Sequence, residues 1–130
     1  MYRKVTKSIE VVVEPEFSEE KSSPGDGTFF WAYHITIRNG GKETVQLRTR
    51  HWKIFDGGGA QREVRGPGVV GEEPVLKPGE SFSYSSGVPL KSPSGIMSGT
   101  FQMQRSDGSL FDAVVPAFSL DCRYASARLN

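Results

Sequence analysis

Between Phe29 and Asn39, apolar side chains return at every second position: Phe29, Trp31, Tyr33, Ile35 and Ile37 share one face, and Phe30, Ala32, His34, Thr36 and Arg38 the other. Period two belongs to a strand with one buried face, because a helix would scatter those five large residues around its axis. The run Val45 to Ile54 alternates too, with Val45 and Leu47 inward, and resumes at Trp52 and Ile54 one step out of phase. One extra residue in a strand causes such a shift, which predicts a β-bulge near Arg50 and His51.

The same logic predicts strands over 8–17, 81–85, 100–104 and 110–115, the last closing before Pro116, and a short one over 60–65. Turn residues punctuate them at Pro24-Gly25-Asp26-Gly27, Asn39-Gly40-Gly41, Asp56-Gly57-Gly58-Gly59, Lys77-Pro78-Gly79 and Ser106-Asp107-Gly108. About seven short strands joined by tight turns predict an all-β fold, an immunoglobulin or fibronectin type III-like sandwich of two antiparallel sheets. No amphipathic helix of normal length and no fixed repeat is visible.

At 130 residues the chain holds one packed core, so residues 1–130 are expected to form a single domain. The formal net charge of +1 supplies no bulk field for nucleic acid or an anionic membrane, and neither is expected as a partner. That total conceals a segment over 10–26 with net charge −5 and one over 38–65 with net charge +4. In the basic segment, Arg48 and Arg50 are expected on the outward face of one strand and Arg38 on that of its neighbour, together a partner surface. A single cysteine, Cys122, excludes an intrachain disulfide and suits the cytoplasm. No run approaches 18 apolar residues, and Glu10 and Glu14 interrupt the stretch where a signal peptide would be apolar.

Gly66-Pro67-Gly68-Val69-Val70-Gly71 satisfies G-x-G-x-x-G, which cradles a pyrophosphate only between a strand and a helix. Here Glu72-Glu73-Pro74 follows, and Pro74, Pro78 and Gly79 preclude the helix. A glycine loop can still hold phosphate through backbone N–H groups, so Gly66, Gly68 and Gly71 with Arg62 and Arg65 form a candidate ligand loop. His34 and His51 are the only histidines and lack the neighbours a transition-metal site needs; no metal and no cofactor is expected. No serine sits on a strand-to-helix elbow, and no catalytic residues are assigned.

The series Arg50-His51-Trp52, Val64-x-Gly66-x-Gly68-Val69-Val70-Gly71-x-x-Pro74, Leu76-x-Pro78-Gly79-Glu80-x-Phe82-x-Tyr84-x-Ser86-Gly87 and Pro93-x-Gly95-x-Met97-x-Gly99-x-Phe101-x-Met103 resembles the ApaG family over nearly the whole chain. The resemblance implies a fibronectin type III-like sandwich, a free-standing bacterial member, and an indirect link to cobalt resistance and magnesium efflux. Fused relatives in eukaryotes, including F-box proteins, imply protein binding. The expected function is a non-enzymatic binding module with a protein partner, linked to divalent cation homeostasis. A phosphate, pyrophosphate or nucleotide ligand on the Gly66–Gly71 loop, or direct cation sensing, are the alternatives.

Overall fold

The computed structural model describes residues 1–122, and within them the chain forms nine strands and one short 3-10 turn at Pro24–Asp26. The strands are β1 (Tyr2–Thr6), β2 (Ile9–Phe17), β3 (Phe29–Asn39), β4 (Val45–Asp56), β5 (Gln61–Pro67), β6 (Val75–Leu76), β7 (Ser81–Leu90), β8 (Ser94–Arg105) and β9 (Leu110–Asp121). They make two antiparallel sheets: β1-β2-β3-β7, and β5-β4-β8-β9 with β6 also paired to β4. This is the all-β sandwich expected from period two, with nine strands in place of about seven.

β3 alternates as read: Phe29, Trp31, Tyr33, Ile35 and Ile37 are buried. They meet Trp52, Phe101 and Phe118 of the facing sheet, where the Trp52 and Phe101 rings cross at 87°. The edge-to-face arrangement places ring hydrogens on a facing π-cloud and adds to the burial of large apolar area. Asn39 is the one buried polar side chain among the described residues, and its amide is satisfied. Nδ2 donates to Glu43 O (2.7 Å) and Leu76 O (2.9 Å), and Oδ1 accepts from Gly41 N (2.9 Å), which ties the β3–β4 turn to β6.

Several expectations are corrected. The bulge in β4 lies between Leu47 and Thr49, so Arg48 is the extra residue rather than Arg50 or His51. Arg50 therefore shares the inward face with Trp52 and Ile54. β3 and β4 belong to opposite sheets, so Arg38 does not neighbour Arg48 and Arg50, and the three form no common surface. β9 continues through Pro116 to Asp121, because a register shift against Met97 and Gly99 places Pro116 where a missing N–H breaks no ladder bond. β1 lies outside the strands that the sequence pattern predicts; it pairs with β2 through a two-residue turn in which Lys7 (φ 46) and Ser8 (φ 69) are both left-handed.

The two open sides of the sandwich differ. On one, β1 lies over the edge of β9: Val114 N donates to Thr6 Oγ1 (3.1 Å) and Ser119 N to the Tyr2 hydroxyl (3.3 Å). On the other, edge strands β5 and β7 face each other across a gap. The candidate site lies there.

Candidate functional site: the open seam

β4 carries Arg50, Trp52 and Ile54 toward the gap, and its ladder with β5 sets Gly66, Val64 and Arg62 directly opposite them. From the other sheet come Tyr33 on β3 and Tyr84, Ser86 and Val88 on β7. These groups line a cleft of about 450 Å³ that is mixed in character, with Val64, Val69, Val70, Pro89 and Met97 completing its apolar wall. That volume is within the usual range of ligand sites, roughly 300–1,000 Å³. A smaller cavity of about 200 Å³, lined by Thr28, Asp56, Gln61 and Lys91 among others, shares Ile54, Arg62 and Pro89 with the first. The Arg62 guanidinium separates the two by donating through Nη2 to the Pro89 carbonyl across the seam.

The glycine loop forms one end of the cleft, and its geometry follows from the bulge. β5 and β6 both pair with the same side of β4, so residues 68–74 are an excursion of one interrupted edge strand. The excursion leaves at the level of Arg48, whose carbonyl accepts from Gly68 N (2.8 Å) and whose Nε lies 3.3 Å from Glu73 Oε1. Leu47 N, beside the bulge, donates to Pro74 O (3.0 Å). At the tip, Val69 N donates to Glu72 O (2.8 Å) and Glu72 N to Val69 O (2.9 Å), closing a two-residue turn with Val70 at φ 44 and Gly71 at φ 80. Positive φ at both central positions is the hairpin geometry that favours glycine or asparagine, and a β-branched valine adopts it under strain. Val70 is nonetheless 54% exposed. Gly68 is irreplaceable on two counts, since its φ is 60 and a Cβ there would stand 2.3 Å from Glu72 O.

Arg50 joins the loop to the cleft. Its Nη1 donates to Pro67 O (2.9 Å) and Gly68 O (3.0 Å). Gly66 makes room for it: a Cβ at that position would lie 3.1–3.2 Å from the guanidinium carbon and both terminal nitrogens. Among the described residues Arg50 has no carboxylate partner and its Nε and Nη2 meet no acceptor. The Tyr84 hydroxyl is buried with no hydrogen-bond partner among the described residues. Burial raises the Tyr84 pKa, the neighbouring Tyr33 raises it further, and Arg50 opposes both. Tyr33 is raised by burial as well, against opposing contributions from Ser86 and Arg50. Both phenols are thus neutral donors at neutral pH.

The sequence-expected residues separate. Arg62 faces the cleft, whereas Arg65 sits opposite His51 on the outer face of β5 and does not line it. Gly66, Gly68 and Gly71 belong to the loop as expected, but the N–H groups of Gly68, Val69 and Glu72 are already occupied by backbone carbonyls. Arg48 is held to Glu73 and Gln46. Arg38 lies on the outer face of the other sheet, opposite Glu10 and Ser81 in the ladder. The cleft also contains Tyr84, Tyr33 and Ser86, which the sequence pattern does not mark as site residues. The alternation at 81–85 marks Tyr84 as inward, but only the strand order shows that its strand ends at an edge.

His34 and His51 lie in different sheets. His51 Nε2 is 3.3 Å from Glu63 Oε1 yet misaligned for a hydrogen bond. His34 Nδ1 is 2.6 Å from Ser85 Oγ and Nε2 is 3.2 Å from Glu16 Oε2, an acid–imidazole–hydroxyl series on the flat outer face of β2, β3 and β7. A nucleophile there would need donors aimed at a developing oxyanion, and the strand N–H groups beside it lie in the sheet plane. No group of three or more histidine, cysteine or acidic residues able to hold a metal ion occurs among the described residues. No helix among them is long and apolar enough to cross a membrane. Cys122 is buried, and its N–H donates to Pro93 O (2.9 Å).

The family model described as the ApaG domain matches residues 19–105. The chain belongs to the ApaG family. Its relatives include the Protein ApaG of Bradyrhizobium sp. (strain ORS 278), 64% identical over the full length of both chains, and that of Afipia carboxidovorans, 62% identical over the same extent. Among solved structures, a Bordetella pertussis protein carrying the name ApaA superposes with a TM-score of 0.85 at 41% identity, covering 87% of this chain and 92% of that one. The ApaG-domain match contains every residue lining the cleft of about 450 Å³ and omits β1, β2 and β9.

Proposed function

We propose that this ApaG protein is a non-enzymatic binding module for another protein, and that the partner docks at the open seam between β5 and β7. The observation that carries the reading is the cleft itself: two edge strands face each other there, with Arg50 between them and no carboxylate beside it among the described residues. A cation so placed, among apolar side chains and near two neutral phenols, is suited to recognition, whereas no arrangement in the cleft supplies a nucleophile with its base. In this reading the family's link to cobalt resistance and magnesium efflux runs through the bound partner.

A photo-crosslinking residue at the exposed Val70, compared with one at the exposed Val5 on the opposite side, tests the site in cells. One adduct, identified by mass spectrometry, is expected from position 70, absent from position 5 and lost when Arg50 is replaced by alanine. Equal yields from both positions would remove the seam from consideration. A phosphate-containing ligand is the second reading, favoured by Arg50 and Arg62 lining one cleft. Pyrophosphate titrated to millimolar concentration should then shift the amide signals of Gly66, Gly68 and Gly71.

A further inference from the structure

We infer that the open seam reads the free C-terminal carboxylate of an extended peptide ending in an apolar residue, with that carboxylate on the Arg50 guanidinium beside the Tyr84 hydroxyl. The inference rests on the seam being the binding site and names what it binds. Arg50 has one fork left: Nη1 is engaged by Pro67 O and Gly68 O, so Nε and Nη2 present a single two-pronged edge to the cleft. A planar carboxylate fits one such edge bidentately. The Tyr84 hydroxyl, buried and unpartnered, supplies a third donor, and pairing it removes the cost of an unmade hydrogen bond.

A dianionic phosphate is a poorer match. Three of the loop amides, those of Gly68, Val69 and Glu72, are taken by backbone carbonyls, and the Arg62 Nη2 is committed to Pro89 O. Glu72 and Glu73 add negative charge at the loop. The walls made by Trp52, Ile54, Val64, Val70, Val88 and Met97 suit a hydrocarbon side chain.

The backbone of β7 favours a peptide over a free acid. The Pro89 carbonyl points across the seam, as its bond from Arg62 shows, and residues two apart on a strand direct their polar groups to the same side. The backbone groups of Gly87 and Ser85 therefore also face the gap, on a strand whose only ladder partner among the described residues is β3. Such an edge accepts an added strand. Arg50 and Arg62 stand opposite Gly66 and Ile54 in the β4–β5 ladder, four residues apart along β4 or about 13 Å, the span of roughly four extended residues. A peptide with its carboxylate at Arg50 and its earlier residues toward Pro89 would run antiparallel to β7.

The test uses the full chain and a panel of acetylated pentapeptides ending in Val, Leu or Phe, each prepared as free acid and as C-terminal amide, with 3-phenylpropanoate and inorganic pyrophosphate as comparators. Free acids are expected to shift the amide signals of Gly66, Gly68 and Gly87, and amides to bind at least about tenfold more weakly. Arg50→Ala should abolish binding but also loosens the loop. Tyr84→Phe is the cleaner variant, because it removes no protein hydrogen bond: about fivefold weaker binding of the acids at an unchanged melting temperature is expected. Equal binding of acids and amides, or no shift with any peptide while the position 70 adduct persists, would overturn this inference and leave the module reading intact. Loss of both the adduct and the shifts would overturn the two together. Binding of 3-phenylpropanoate as tight as that of the peptides would overturn the peptide source, and tighter binding of pyrophosphate the carboxylate.

Discussion

The two sides of the sandwich solve the same problem in opposite ways. Where β1 and β9 meet, exposed strand edges are covered by side chains, and Phe118 packs its ring against Tyr2 (6.2 Å between centroids), Tyr33 (6.0 Å) and Trp52 (6.2 Å). Where β5 and β7 meet, the gap is spanned by the Arg62 guanidinium and holds a cleft of about 450 Å³ that Arg50 also lines. An apolar closure gains stability from excluded water, and a charged one keeps its groups accessible at a cost in packing. Stability should therefore reside on the first side and recognition on the second.

The largest test removes the closed side. Phe118→Ala should lower unfolding free energy by about 3–5 kcal/mol in a urea titration, through lost transfer energy and the cavity left behind. Because Phe118 also packs against Tyr33 and Trp52 of the cleft wall, the readout for this variant is the stability loss and not ligand binding. Gly68→Ala comes next, at about 2–3 kcal/mol, because the left-handed backbone and the clash with Glu72 O act together. Hydrogen exchange should show that damage concentrated at residues 66–74. Arg50→Ala should cost about 1–2 kcal/mol, leaving two carbonyls without their donor, and should eliminate seam binding. A larger stability loss than that of Phe118→Ala would break the comparison. Val70→Asn is the smallest change and the only stabilising one, raising the unfolding free energy in a urea titration by about 0.5–1 kcal/mol, since asparagine tolerates the left-handed conformation that valine resists.

The sandwich was legible because its strongest signal is local: five alternating large residues in β3 fix a buried face without reference to any other strand. The site was less so, for reasons that can be named. The phase change between Leu47 and Trp52 proves an extra residue but fits its insertion anywhere from position 48 to 51. Placing it at Arg50 and His51 rather than at Arg48 reversed the face of the one arginine that matters most. Arg62 and Arg65 looked equivalent beside the glycine loop, and a three-residue separation on a strand puts them on opposite faces. Tyr84 depends on strand order, which no local pattern encodes. β1 escaped notice because a Lys-Ser turn lacks the usual hairpin residues, and its strand is held by pairing with β2.

The bulge at Arg48 has a genetic corollary. Deleting that one codon would heal the ladder, since Leu47 already faces Met103 and Thr49 already faces Gln102, and would leave Trp52 and Ile54 buried. What disappears is the carbonyl that receives Gly68 N and the side chain that holds Glu73. A single in-frame deletion would thus produce a folded sandwich that has lost the mooring of its glycine loop, and would separate folding from whatever depends on that loop.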